Sequence, residues 1–119
     1  MLWAEPDLQA TVDAHERRRK VRFDVALPLT IERLNPEPGE GTSERTLTED
    51  LGPGGARVPT SLPIGIGERL VLDVPGVCTV WASVQGVSLG DDGVPRLSLA
   101  FLDADAADHV WQILDNACR

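Results

Sequence analysis

Residues 23–32 read Phe23-Asp24-Val25-Ala26-Leu27-Pro28-Leu29-Thr30-Ile31-Glu32, and their alternation decides the fold. Phe23, Val25, Leu27, Leu29 and Ile31 fall on one side of an extended chain, with Asp24, Ala26, Pro28, Thr30 and Glu32 on the other. Successive side chains of a strand point to opposite faces, so a period of two marks a long strand with one buried face. Pro28 falls on the outward face. Lacking an N–H for the ladder, it predicts an edge position or a bulge.

Downstream, the same period returns in shorter pieces. Residues 45–49 lead into a Gly-Pro-Gly-Gly turn and residues 56–59 leave it. Leu70, Leu72 and Val74 alternate, then Val80, Ala82 and Val84, then Leu97, Leu99 and Phe101. Pro75-Gly76 and Gly90-Asp91-Asp92-Gly93 supply the turn chemistry between them. Val110, Ile113, Leu114 and Ala117 then repeat at i, i+3, i+4 and i+7, which predicts one amphipathic helix over residues 104–118 with Asp103 as an N-cap or pre-cap signal. Trp81 is placed on a strand and Trp111 on this helix, packed in the core or a groove. The pattern predicts a mainly β domain: a six-stranded antiparallel β-barrel with a C-terminal α-helix. Residues 1–16 form a separate arm, flexible or helical, because Leu8, Val12 and two alanines make too thin an apolar stripe to join a core. The barrel domain covers residues 17–119.

A chain of 119 residues, 42% hydrophobic and 25% charged, builds one ordinary core. Its formal charge of −8 argues against nucleic-acid binding over the whole surface. Yet five of its eleven basic residues crowd into Arg17-Arg18-Arg19-Lys20-Val21-Arg22. An anion is therefore gripped locally, against the field of the rest, which favours a small ligand. Cys78 and Cys118 lie far apart with no metal-ligand spacing and read as free thiols. There is no signal peptide or membrane span, so the expected location is the cytoplasm.

The second chemical feature is Asp50-Leu51-Gly52-Pro53-Gly54-Gly55, a glycine-rich turn headed by an acid. Guanidinium groups pair bidentately with phosphate oxygens and with guanine O6 and N7. A carboxylate at Asp50 suits a ligand with guanine-like donor edges, which a phosphate-only site does not need. Glycine at position 55 permits positive φ or close ligand approach. The turn is no phosphate loop of the nucleotide-hydrolase kind, since no Gly-Lys-Ser/Thr follows. His15 and His109 are isolated, which argues against a metal site. No nucleophile, base and orienting acid stand in a recognisable arrangement, so no catalytic residue is assigned.

On these residues the chain resembles the PilZ domains, bacterial receptors for cyclic di-GMP. That family carries RxxxR before the first barrel strand, matched here by Arg18 and Arg22. It carries (D/N)xSxxG after the second, matched by Asp50 and Gly55 with Gly52 in place of the serine. The resemblance runs from about residue 16 to the C-terminus. It implies a PilZ-like barrel and a cyclic di-GMP site formed by Arg17, Arg18, Arg19, Arg22, Asp50, Gly52 and Gly55. It implies no other cofactor, no enzymatic activity, and an unidentified protein effector in motility, pilus or exopolysaccharide control, reached when the arginine arm orders on the ligand. The missing hydroxyl at Gly52 removes one hydrogen bond, ~0.5–1.5 kcal/mol, so Gly52→Ser is expected to strengthen binding. Two rivals stand beside this reading. One is a divergent PilZ-like interaction module that does not bind nucleotide, favoured by Gly52. The other is a basic-arm nucleic-acid binder, opposed by the acidic balance and the lack of an aromatic stacking platform.

Overall fold

The computed structural model describes residues 21–34 and 41–117; the arm of residues 1–16, together with Arg17, Arg18, Arg19 and Cys118, lies outside them. Among the described residues, strands β1 (Pro28–Arg33), β2 (Ser43–Leu47), β3 (Asp50–Gly52), β4 (Gly55–Pro59), β5 (Arg69–Val74), β6 (Cys78–Leu89) and β7 (Pro95–Phe101) precede a helix, α1 (Ala106–Ala117). They form a single sheet in the order β2-β1-β5-β6-β7-β4-β3, antiparallel throughout. The sheet curls into a half-barrel whose edge strands β2 and β3 are joined in sequence by Thr48 and Glu49 alone. Across the gap between β2 and β4, the Thr46 hydroxyl donates to the Pro59 carbonyl at 2.9 Å.

The alternating apolar residues meet inside the curl. Ile31, Val58, Leu70, Leu72, Val84, Leu97 and Leu99 are fully buried, each contributing about 1.5–3 kcal/mol by removal from water. Helix α1 closes one end, with Val110 and Leu114 packed on Leu51 and Ala56. Gly76 (φ 74°) and Gly93 (φ 80°) take the left-handed conformations their turns require.

The strand count is seven, not six, and the difference has a physical cause. Residues 43–52 do not form one continuous strand, because the Thr48 side chain interrupts the ladder. Its hydroxyl accepts the Leu27 N–H at 2.8 Å and donates to the Val25 carbonyl, while the Thr48 N–H donates to the Leu27 carbonyl at 3.0 Å. The long strand expected over residues 23–31 is likewise divided. Phe23 pairs with Leu51 in an isolated bridge, and regular pairing begins only at Pro28, the first residue of β1. At the first position of a strand proline is well tolerated.

Three further expectations are corrected. Strand β6 runs on past Val84 to Leu89, through an irregularity between Val84 and Gly86 that explains why its period-two pattern fades there. Trp81 is not a core residue; it stands 44% exposed on the outer face. Asp103 does not cap α1 with its side chain. Its carboxylate accepts the Trp81 N–H at 3.1 Å, and its main-chain carbonyl accepts from Ala106 at 3.2 Å. Cys78 is a half-buried free thiol, pushed up in pKa by burial and by the negative field of Asp105, Asp73 and Asp103.

A second clasp ties β2 to the end of β4. Glu44 accepts from the Thr60 hydroxyl at 2.7 Å, from the Ser61 N–H at 3.1 and 3.0 Å, and from the Ser61 hydroxyl. Burial alone pulls its carboxyl up, but the hydrogen bonds from Ser61 and Thr60 outweigh that, leaving it below its usual value of 4.5. A carboxylate depressed on folding stabilises the fold above its unfolded pKa and loses that contribution as pH falls through the folded one. Acid titration of stability is therefore expected to be shallower in Glu44→Gln than in the wild type below pH 4.5. Thr48→Val preserves shape but leaves the Leu27 N–H and Val25 carbonyl without their partner; urea unfolding is expected to show a loss of about 1–3 kcal/mol.

Candidate functional site

The glycine-rich turn folds as a tight hairpin between β3 and β4, with Pro53 and Gly54 at its tip. Pairing Gly52 with Gly55 and Asp50 with Arg57 puts these four residues on the outer face, while Leu51 and Ala56 point into the core. The chain arriving from the arginine run crosses the free edge of β3. The Phe23 N–H donates to the Leu51 carbonyl and the Leu51 N–H to the Phe23 carbonyl, both at 2.9 Å.

This crossing lays Arg22 over the glycines. Its Nη1 lies 3.0 Å from where a Cβ on residue 52 would stand, and its Nη2 lies 3.1 Å from the same point on residue 55. Its Nε lies 3.3 Å from Asp50 Oδ1, and its Nη1 donates to the Val21 carbonyl at 3.4 Å. The Nε–Oδ1 contact is within ion-pair range but lacks hydrogen-bond direction. Asp50 Oδ1 is consequently a buried carboxylate oxygen with no hydrogen-bond donor among the described residues. Such an acceptor normally finds a partner, because an unsatisfied buried polar atom costs about 1–3 kcal/mol.

Of the residues expected from sequence, Arg22, Asp50, Gly52 and Gly55 are brought together. Arg17, Arg18 and Arg19 lie outside the described residues. The reasons for the glycines differ from those expected. Neither Gly52 nor Gly55 has positive φ. Gly55 is required by close approach, since a Cβ there would sit 1.9 Å from the Leu99 carbonyl oxygen of β7. At Gly52 a Cβ would sit 1.8 Å from the Val21 carbonyl oxygen. The space expected for a serine side chain is taken by the incoming main chain, so Gly52→Ser does not simply restore a hydrogen bond here.

Arg57 belongs to the same face and was missed. The signal was present: a two-residue turn at Pro53-Gly54 sets the pairs 52–55, 51–56 and 50–57 by counting outward. On the other side of the crossing, the Phe23 ring meets Trp111 of α1 edge-on, with centroids 6.0 Å apart at 71°. A groove of about 740 Å³ lined by Phe23, Asp24, Val25, Trp111, Gln112, Leu114 and Asp115 adjoins that contact. Among the described residues no group of three or more His, Cys, Asp or Glu is placed to hold a metal ion, and no helix is long and apolar enough to cross a membrane.

A family model for the PilZ domain matches residues 16–116. Similar solved structures include the inhibitor of motility MotI/DgrA of Bacillus subtilis, at 20% identity and TM-score 0.61, covering 78% of this chain and 46% of that one. Another is the PilZ domain with c-di-GMP of YcgR from Escherichia coli, at 17% identity and TM-score 0.56, covering 80% and 88%. A third is the MrkH–c-di-GMP complex of K. pneumonia, at 17% identity and TM-score 0.62, covering 82% and 51%. This chain thus spans about half the length of MotI/DgrA and MrkH. No curated protein matches it.

The crossing is tested at Gly52. Gly52→Ala and Gly52→Ser are both expected to push the Val21 carbonyl away and speed hydrogen exchange at the Phe23 and Leu51 amides by about tenfold or more. Gly65→Ala, where an added Cβ meets nothing within 4 Å, is expected to leave both amides unchanged.

Proposed function

This chain belongs to the PilZ domain family, and on that basis we propose that it is a non-enzymatic receptor for cyclic di-GMP. The observation that carries the reading is Asp50 Oδ1, buried and without a donor among the described residues, beneath an arginine lying on two side-chain-free residues. Guanine presents the donors this oxygen lacks, at N1 and N2, while its O6 and N7 and the phosphates accept from arginine. Arg22 and Arg18 supply the charge-assisted pairs, with Arg17 and Arg19 as further phosphate or stacking partners. Gly52 and Gly55 let the ligand lie close to the main chain. The solved complexes of YcgR and MrkH with c-di-GMP support the choice of nucleotide.

The finer proposal is that residues 17–22 reorganise around the ligand and offer a protein effector a changed surface. The Phe23–Trp111 contact gives that change a route to α1. One observation favours the rival, a PilZ-like interaction module that binds no nucleotide: the Val21 carbonyl already lies against Gly52.

Calorimetric titration of the full chain with cyclic di-GMP separates the two. Saturable binding is expected, weakened about tenfold or more by Arg18→Ala or Arg22→Ala, each of which removes a charge-assisted pair. Asp50→Ala is expected to lose preference for cyclic di-GMP over cyclic di-AMP while keeping its attraction to phosphate. Absence of binding at high micromolar ligand establishes the interaction module instead.

A further inference from the structure

We propose that Arg57 is a further ligand-binding residue of this site, holding a phosphate of the nucleotide from the side opposite Arg22. The inference rests on the cyclic di-GMP reading and extends its contacts beyond the two sequence motifs.

Register is the first argument. Arg57 stands opposite Asp50 across the β3–β4 hairpin, and directly opposed side chains of an antiparallel pair have Cβ atoms about 4.5–5.5 Å apart. Any base edge seated on Asp50 is therefore within reach of a side chain as long as arginine's. Arg22 approaches the same carboxylate from the free edge of β3, so the β-carbon of Arg57 stands on the other side of Asp50.

The second argument is steric. Next to Arg57 on the outer face stand Ser98 of β7 and then Gly86 of β6. Next to Gly55 stands Ala100, followed by Ser83. A Cβ added at Gly86 would find its nearest neighbour, the Ser98 Cβ, at 3.9 Å. On β7 the outer face beside Arg57 and Gly55 carries only the short side chains of Ser98 and Ala100. The guanidinium can therefore swing across low ground toward the hairpin.

Donor accounting is the third argument, and it separates Arg57 from its neighbour Arg96. Arg96 bonds both oxygens of Glu49 at 3.0 Å, Asp92 at 2.8 and 3.0 Å and the Val94 carbonyl at 2.8 Å. Its side chain is only 14% exposed, and the hydrogen bonds from Asp92 and Glu49 push its pKa still higher than usual. Arg96 is committed to the fold. Among the described residues Arg57 makes one hydrogen bond, at 3.3 Å, to the Ser88 hydroxyl. Its approach to Glu49, 3.6 Å at a side-chain exposure of 45%, is to a carboxylate that Arg96 already engages. A guanidinium carries five N–H donors in a fork suited to two oxygens of one phosphate. Arg57 holds most of that capacity in reserve at the rim of the site.

The test is calorimetric titration of wild type, Arg57→Ala, Arg57→Lys and Glu49→Gln with cyclic di-GMP, alongside thermal unfolding of each without ligand. Arg57→Ala is expected to bind about tenfold or more weakly with an unchanged melting temperature, because an exposed ion pair adds little stability. Arg57→Lys, which keeps the charge and loses the fork, is expected to fall between. Glu49→Gln releases Arg57 from its carboxylate and is expected to bind at least as tightly as wild type. Binding by Arg57→Ala within twofold of wild type overturns this inference and leaves the receptor reading standing. Equal weakening by Glu49→Gln and Arg57→Ala also overturns it, since the effect then runs through their ion pair. Failure of the wild type to bind overturns the receptor reading itself, and this inference with it.

Discussion

The pair of main-chain hydrogen bonds between Phe23 and Leu51, at 2.9 Å each, is the constraint on which the site depends. Among the described strands β3 has only β4 as a neighbour in the sheet, and an uncovered edge strand leaves peptide groups that must find partners. Phe23 satisfies Leu51, and four residues on, the Thr48 hydroxyl and main chain hold Leu27. Fastened at both points, residues 23–27 can only run along the edge. Arg22 then falls over the glycine pair and the Phe23 ring falls against Trp111.

That geometry gives the glycines their role. Close approach is the demand at both: β7 presses a carbonyl on Gly55 and the incoming chain presses one on Gly52. A side chain at either position would separate backbones that now touch, and the hairpin or the crossing would have to move. With Gly52 the chain brings Arg22 one layer closer to Asp50 than a residue with a Cβ would permit.

In the proposed receptor the ligand therefore competes with the protein's own arginine. The resident contact is weak: the Arg22 and Asp50 side chains are 37% and 25% exposed, and solvent screens such a pair to a fraction of its bare attraction. A nucleotide offering true donors to Asp50 and two phosphates to the arginines has more to give than the pair it replaces. Because Phe23 follows Arg22 directly, a shift of that arginine in the proposed receptor would reach α1 through one ring contact. Site and effector surface would then be coupled through a single residue, with no need for a change in the barrel core.

Whatever depends on near neighbours in the chain was legible in the order of residues. The period of two at Leu29 and Ile31 and at Leu97 and Leu99 named the buried faces; Gly76 and Gly93 marked turns whose φ values only glycine adopts readily; Val110 and Leu114 named the face of α1 that meets the core. The arginine run and the acid-headed turn marked a candidate site, of which the described residues bring together Arg22, Asp50, Gly52 and Gly55. How closely Val21 and Arg22 approach the turn was settled by folding. Phe23 pairs with Leu51, the Thr48 hydroxyl divides β2 from β3, and the Val21 carbonyl fills the place of a side chain on residue 52. Each is a contact between residues far apart in the chain, settled by which edge was left open once the core had closed. Alternation reports the face a side chain will take; it carries no information about the backbone that will arrive above it.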